Sequence, residues 1–373
     1  MKPTVLFNDF KAQWRCIRED ALKAVDRVGQ SGWFILGDEV AHFEQQLAAY
    51  MGRRFAAGCA SGLDAIELGL RSIGCKGKSV ITTPLSAFAT TLAIVRARAL
   101  PIFIDTDTSG LLDLKRVEVF LENNPAPDYC VLPVHLFGHS LDLQCLRRSR
   151  ERFQFNVLED CAQAIGASND GKNVGSASEI AAISFYPTKN LGCMGDGGAL
   201  FTDREELAAL ARALRDYGQT GKYKHTYLGM NSRLDEMHAA ILTEALLPRL
   251  PEFTNRRRKI AASYRGAISN EMLEIPPEPH GSHSVYHLFP ILVQADRAAF
   301  QEHLKAHGIE SAIHYPVLIP DQPALRGQLY RIDGELTNAR RFAEKEVSLP
   351  IHPFMSDDDV ERVIAACNNW GKS

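Results

Sequence analysis

No stretch of the 373-residue sequence approaches 18 uninterrupted apolar residues, so no membrane-spanning helix is expected. Even the apolar window Leu92 to Ile104 is broken by Arg96 and Arg98. The N-terminus, Met1-Lys2-Pro3-Thr4-Val5, runs quickly into Asp9, Lys11 and Arg15 and lacks the apolar core of a secretory signal. The eight cysteines, at 16, 59, 75, 130, 145, 161, 193 and 367, include no CxxC pair. In a chain of this size that predicts reduced thiols and a cytoplasmic protein rather than a disulfide framework. A dominant charge is missing too. Lys and Arg number 42 against 45 Asp and Glu, a net charge of −3, which gives no reason to expect a nucleic-acid or membrane-surface partner. Low-complexity segments and internal repeats are absent, and the 45% hydrophobic and 23% charged content excludes global disorder and a coiled coil.

At roughly 150 residues per domain the length implies two domains, or one large domain with an appendage. From about 55 to 205, apolar runs alternate with helical patterns. Strands are predicted at Ser79 to Thr82, Pro101 to Asp105, Tyr129 to Val134, Asn156 to Glu159 and Ala181 to Phe185. Helices are predicted at Ser61 to Ile73, Ala87 to Ala97 and Leu114 to Leu121. Continuous apolar strands separated by helices predict a mostly parallel sheet covered on both faces. Asp203-Arg204-Glu205-Glu206 reads as a capping box opening the next helix. Leu234 to Leu247 is predicted as a helix stopped by Pro248, and a second helix as Glu252 to Ile268. His287 to Val293 follows as a strand, with helices near 296–307, 337–346 and 356–369. The domain change is placed near 245–255. Residues 1–250 then form a large α/β domain and 251–373 a smaller α+β domain, with the first 30 to 50 residues folding over one of the two.

The chemistry concentrates between Val157 and Phe201. Leu158-Glu159-Asp160 ends a strand on acids. Twenty-nine residues after Asp160, beyond the next strand, lies Tyr186-Pro187-Thr188-Lys189-Asn190, followed by the turn Gly192-Cys193-Met194-Gly195-Asp196-Gly197-Gly198. Ligands of parallel α/β sheets bind outside the carboxyl ends of the strands. A lysine and a carboxylate converging there suit a pyridine cofactor: the lysine forms a Schiff base, and the carboxylate pairs with the ring nitrogen so that the ring acts as an electron sink. Each signal alone is common, since most lysines are surface residues, strand-end acids often cap helices and glycine clusters are usually turns.

The run Leu158 to Ala167, with Ser184 to Gly192 and Gly195-Asp196-Gly197-Gly198, closely resembles the DegT/DnrJ/EryC1/StrS family of sugar aminotransferases dependent on pyridoxal phosphate (PLP). Further matches occur in order along the chain, at Ser31 to Gly37, Ala60 to Ala65, Pro133 to Gly138, Asn231 to Glu236 and His314-Tyr315-Pro316. The resemblance implies an aspartate-aminotransferase-like α/β fold (PLP fold type I) and a homodimer with shared active sites. It implies that Lys189 holds PLP, which passes through pyridoxamine phosphate during turnover, and that Asp160 pairs with the ring nitrogen. Gln163 would contact the ring region, and Phe88 would stack on the ring. Ser184 and the backbone amides of Gly62, Leu63 and Asp64 would bind the phosphate, the amides because a helix N-terminus attracts anions. Asn231 would reach that phosphate from the partner subunit, with Arg233 near an anionic group of donor or substrate. His314 and Tyr315 would bind substrate. Leu63, Ile165 and Met230 stand where many members have Thr, His and Tyr. The implied reaction moves an amino group from L-glutamate to a keto-sugar, nucleotide-linked, in amino-sugar biosynthesis. A cyclitol ketone is the alternative acceptor. Related dehydratases replace the lysine with histidine, and Lys189 argues against that branch.

Rival features have bland readings. Asp105-Thr106-Asp107 resembles the metal-binding DxD of glycosyltransferases, but a strand end with a cap or turn is the favoured reading. His280, His283 and His287 suggest zinc, yet strand alternation near His287 favours exposed loop histidines, so no metal is assigned. Arg256-Arg257-Arg258-Lys259 is expected to be a solvated helix face. A non-catalytic sensor on the same fold is a further alternative.

Overall fold

The computed structural model describes residues 4–125 and 128–371. An eight-stranded sheet forms the core of the large domain. Its strands are β1 (Phe55–Cys59), β2 (Ser79–Thr82), β3 (Leu100–Ile104), β4 (Tyr129–Leu132), β5 (Asn156–Asp160), β6 (Ile180–Ser184) and β7 (Gly198–Thr202). Later in the chain come β8 (Leu273–Glu274), β9 (Phe289–Val293), β10 (Arg331–Asp333) and β11 (Glu346–Leu349). The large sheet has the order β1-β7-β6-β5-β4-β2-β3-β10. Only β7 runs antiparallel to its neighbours, β1 and β6. Val80, Ile81, Val131, Leu132, Val157 and Leu158 are fully buried, as expected when helices cover both faces of a parallel sheet. The predicted strands and helices of this region are present, with ends shifted by a residue or two.

Three features differ from the sequence reading. Asp203 does not cap its helix. That helix, Glu205–Arg215, starts from Arg204 without a side-chain cap, because Asp203 bonds the Arg54 amide and pairs with Arg53. Pro248 does not stop the preceding helix either. A π-helical turn at Leu242–Leu246 leads through a 3-10 turn at Leu247–Arg249 into the helix Leu250–Ala267. Pro248 and Pro251 sit in first turns, where a missing N–H costs nothing. The domain change expected near 245–255 therefore falls inside a nearly continuous helical run. The basic run on that helix is not a solvated face. Arg257 is buried and donates to the carbonyl of Ile351, Arg256 donates to Met355 O, and Arg258 to Ser284 O.

The small domain packs β8, β9 and β11, an antiparallel sheet in the order β8-β9-β11, against Tyr264, Phe300 and Val363 of its helices and Trp370 just beyond the last of them. Its chain also returns to the large domain, where β10 pairs in parallel with β3 and extends the large sheet. The N-terminal segment joins both parts. Val5 pairs with Ile309, while α1 (Phe10–Ser31) and α2 (Asp38–Met51) pack on the helix Glu236–Ile241 of the large domain. Buried Glu44 of α2 anchors this layer, accepting the Gly58 amide of β1 at 2.8 Å and pairing with Arg215 and Arg212.

Candidate active site

The carboxyl ends of β5 and β6 meet the N-termini of α3 (Gly62–Ser72) and α4 (Phe88–Arg96). Asp160 is the last residue of β5 and is buried. Its Oδ1 accepts the Ala162 amide at 3.0 Å and its Oδ2 the Thr90 hydroxyl at 2.9 Å. Burial pushes its carboxyl above the usual range, opposed by the Ala162 amide, the Thr90 hydroxyl and the charge of Lys189. Lys189 follows β6 on a turn closed by its amide bonding Tyr186 O. Burial pulls the Lys189 ammonium down to about 8, against the opposing pull of Asp160. Desolvation disfavours the charge on both groups, and it brings the Lys189 amine into a range where it can exchange a proton near working pH.

Beside them lies an anion cradle. Ser61 caps α3, its Oγ accepting the Asp64 amide at 3.1 Å. The first amides of a helix have no acceptor within it, so Gly62 and Leu63 are the donors left for a ligand. The Asp64 amide, expected to contribute, is already used. The Asp64 carboxylate instead accepts the Ser232 hydroxyl and lies near Arg96. Ser184, the last residue of β6, faces Gly62 so closely that a Cβ on Gly62 would stand 2.6 Å from Ser184 Cβ. The cradle fits a phosphate because position 62 has no side chain.

The structure also brings Gln163 and Tyr315 together. Gln163 accepts the Phe137 amide at 2.7 Å and donates to the Tyr315 hydroxyl at 3.2 Å. Tyr315 and its neighbour His314 come from the small domain, so the crevice lies between the domains. Phe88 opens α4, half-buried against Phe103, Ile319 and Leu325. Asn231 and Arg233 are not drawn to Lys189 within the same chain. Asn231 is exposed, with its backbone bridged to Asp216. Arg233 pairs with Asp216 at 2.8 Å over the Tyr217 ring. Ser232 between them points the other way, into the α3 cap.

Three contributors carried little sequence signal. Thr90 reads as one of two adjacent threonines on a largely apolar helix. His135 and Glu159 form a fully buried pair behind Asp160. The Leu141 amide donates to His135 Nδ1, which leaves Nε2–H to donate to Glu159 at 2.9 Å. Glu159 also accepts the Gly175 and Ala177 amides. With Cys161 this is the one cluster of metal-ligand type among the described residues, and these bonds already occupy it. Asn190 ties the lysine turn to the small domain through His287 Nδ1 at 3.1 Å and Val285 O, so His287 is buried rather than on an exposed loop. The DxD segment is a cap and a turn. Asp105 accepts the Asn338 and Ala339 amides at the start of the helix Thr337–Lys345, and Asp107 accepts those of Ser109 and Leu111. No helix among the described residues is long and apolar enough to cross a membrane.

Comparison with known proteins agrees with this geometry. Residues 15–368 match the DegT/DnrJ/EryC1/StrS aminotransferase family. The chain is 38% identical to a dTDP-3-amino-3,4,6-trideoxy-alpha-D-glucose transaminase of Streptomyces venezuelae, covering 99% of this chain and 97% of that protein. It is 39% identical to a dTDP-3-amino-3,6-dideoxy-alpha-D-galactopyranose transaminase of Aneurinibacillus thermoaerophilus, covering 95% and 96%. The crystal structure of S. venezuelae DesV in complex with a ketimine intermediate superposes with a TM-score of 0.94 at 38% identity over all of both chains. With the fold, the lysine–aspartate pair and the cradle in place, the chain belongs to the DegT/DnrJ/EryC1/StrS aminotransferase family and has the fold-type-I architecture.

Proposed function

We propose that the protein is a PLP-dependent aminotransferase that moves the amino group of L-glutamate to C3 of a nucleotide-linked keto-sugar. The observation that carries this reading is the pair of buried Asp160, ending β5, and half-buried Lys189, on the turn after β6, beside the Gly62 cradle. The amino position is supported by the two dTDP-sugar transaminases above, whose names share a 3-amino group.

Bound here, PLP supplies an electron sink for the carbanion formed next to nitrogen. The chain supplies the rest. The Gly62 and Leu63 amides and the Ser184 hydroxyl bind the phosphate at the helix N-terminus. Asp160, held by Thr90 and Ala162, keeps a proton on the pyridine nitrogen. Phe88 would lie against the ring, and Gln163 would reach its edge. The Lys189 amine, close to neutral in its pocket, holds the cofactor, then removes the α-proton of glutamate and returns a proton at the sugar carbon, as base and acid in turn. Tyr315 and His314 contact the sugar.

Asn231 and Arg233 complete the site of a second copy, where the planar Arg fork suits a carboxylate or phosphate. The exposed apolar residues Trp33, Phe34, Ile35, Met194 and Met237 form the kind of surface that an obligate dimer covers.

Lys189→Ala should abolish both half-reactions and borohydride-trappable cofactor, and wild-type turnover in that variant refutes the assignment. Mixing Lys189→Ala subunits with Asn231→Ala/Arg233→Ala subunits should restore activity at one site per heterodimer. No recovery after confirmed exchange refutes the shared site. Screening the pyridoxamine form against nucleotide-linked 3-keto-sugars and inososes identifies the acceptor, and a preference for inososes would replace the sugar reading with the cyclitol one.

A further inference from the structure

Strand β11 alternates. Val347 and Leu349 point into the small-domain core, so Glu346 and Ser348 share the opposite face, and both are fully buried. That face meets His314. Glu346 Oε2 accepts the His314 backbone N–H at 2.6 Å, Glu346 Oε1 bonds the Ser348 hydroxyl, and the Ser348 hydroxyl lies 2.9 Å from His314 Nδ1. The His314 ring is stacked on Phe7 at 5.9 Å and set edge-on to Tyr315 at 5.4 Å. Lys189 and His287 are the other titratable groups facing it, and Arg297 and Tyr315 are those facing Glu346.

A hydroxyl carries one hydrogen, and an ionised carboxylate only accepts. With Glu346 ionised, Ser348 spends its hydrogen on Glu346 and must accept from His314 Nδ1–H, which leaves Nε2 a bare acceptor. With Glu346 protonated, Glu346 donates to Ser348, Ser348 donates to Nδ1, and Nε2 carries the hydrogen. The same heavy atoms serve both arrangements. Burial and the nearby Lys189 charge hold His314 down to about 4, so the ring stays neutral at working pH and only its tautomer changes. Burial pushes Glu346 up to about 8, within the range where the exchange can be followed.

We propose that Glu346 and Ser348 are positioning residues of the sugar site, setting through His314 whether Nε2 presents a hydrogen-bond acceptor or a donor to the substrate. The proton balance closes without a co-reactant. As Nε2–H passes its proton to a sugar oxygen, Nδ1 takes the Ser348 proton and Ser348 takes that of Glu346. The reverse movement restores the chain. The contact of His314 with the sugar rests on the amination reading above, whereas the relay rests on the bonds within the small domain.

The test is nuclear magnetic resonance of the full-length holoenzyme carrying ¹⁵N-labelled histidine, with the His314 signals identified by their loss in His314→Gln. In the wild type the bonded proton should move from Nε2 to Nδ1 as the pH rises through about 8. Glu346→Gln should keep the Nε2–H form throughout, because its amide donates to Ser348. Ser348→Ala should abolish the transition and Ser348→Thr retain it. In parallel, the kcat/KM profile for the keto-sugar should show two groups titrating near pH 8, Lys189 and Glu346, in the wild type and Ser348→Thr, and only the Lys189 break in Glu346→Gln and Ser348→Ala. A single tautomer across pH 6 to 10 in the wild type, or a transition surviving in Ser348→Ala, overturns the relay. A tautomer transition with sugar kinetics indifferent to Glu346→Gln overturns the positioning role. Failure of every keto-sugar alongside an intact transition counts against the amination reading alone.

Discussion

One methyl group added at Gly62 should cost the protein its cofactor more than its fold. A Cβ there would lie 2.6 Å from Ser184 Cβ and 3.1 Å from Ser184 Cα and Oγ, where carbon atoms pack at about 3.5–4.0 Å. One side must move by roughly 1 Å to restore that spacing. Ser184 cannot easily yield. It ends β6 opposite Gly198 of β7, and Gly198 is itself pressed against the Ser61 carbonyl, 2.4 Å from where its own Cβ would stand. The first turn of α3 therefore shifts, at roughly 1–3 kcal/mol of overpacking. That shift carries the Gly62 and Leu63 amides off the phosphate. A hydrogen bond to a charged group contributes about 1.5–3 kcal/mol, so losing one weakens PLP binding about 10- to 150-fold. The assay is titration of apoprotein with PLP by absorbance, beside a thermal melt. Gly69→Ala on the same helix is the control. Its Cβ would meet side-chain tips, Leu158 Cδ1 at 2.5 Å and Ile180 Cγ2 at 3.1 Å, so it should lower the Tm and leave the Kd for PLP near that of the wild type. A Gly62→Ala protein that binds PLP as tightly as wild type refutes the cradle.

Apoprotein should take up PLP faster as the pH rises, about tenfold per unit until near 8 and then level, because below that point the Lys189 ammonium has no free electron pair. A flat profile in stopped-flow absorbance would remove Lys189 as the attacking amine. Thr90→Val deletes a donor to Asp160 and should slow glutamate-driven bleaching roughly tenfold or more with PLP still bound; an unchanged rate would show that Asp160 does not depend on it. Glu44→Gln leaves Arg215 buried against a neutral partner and should cost about 3 kcal/mol in urea unfolding while the cofactor stays bound; a loss below about 1 kcal/mol would show that this pair stabilises little.

The sequence alone determined strands β2 to β6 and the helices at 62–72, 88–96 and 114–123, because each carries its own period and apolar run, whereas β1 and β7 went unread. It also determined the Lys189–Asp160 pair, because both stand next to recognisable strand ends. Tertiary structure decided what depended on partners distant in sequence. Whether Asp203 caps a helix turned on Arg53 and Arg54, about 150 residues away. Arg256-Arg257-Arg258 read as a solvated face because nothing local shows that carbonyls of 284, 351 and 355 wait to receive them. The role of Thr90 followed from α4 beginning beside the end of β5, and that of Glu346 from the small-domain strand that meets His314. An edge strand as short as β10, with Arg331 and Ile332 exposed, takes its identity from the β3 edge it joins, since backbone pairing carries no pattern in the residues that make it.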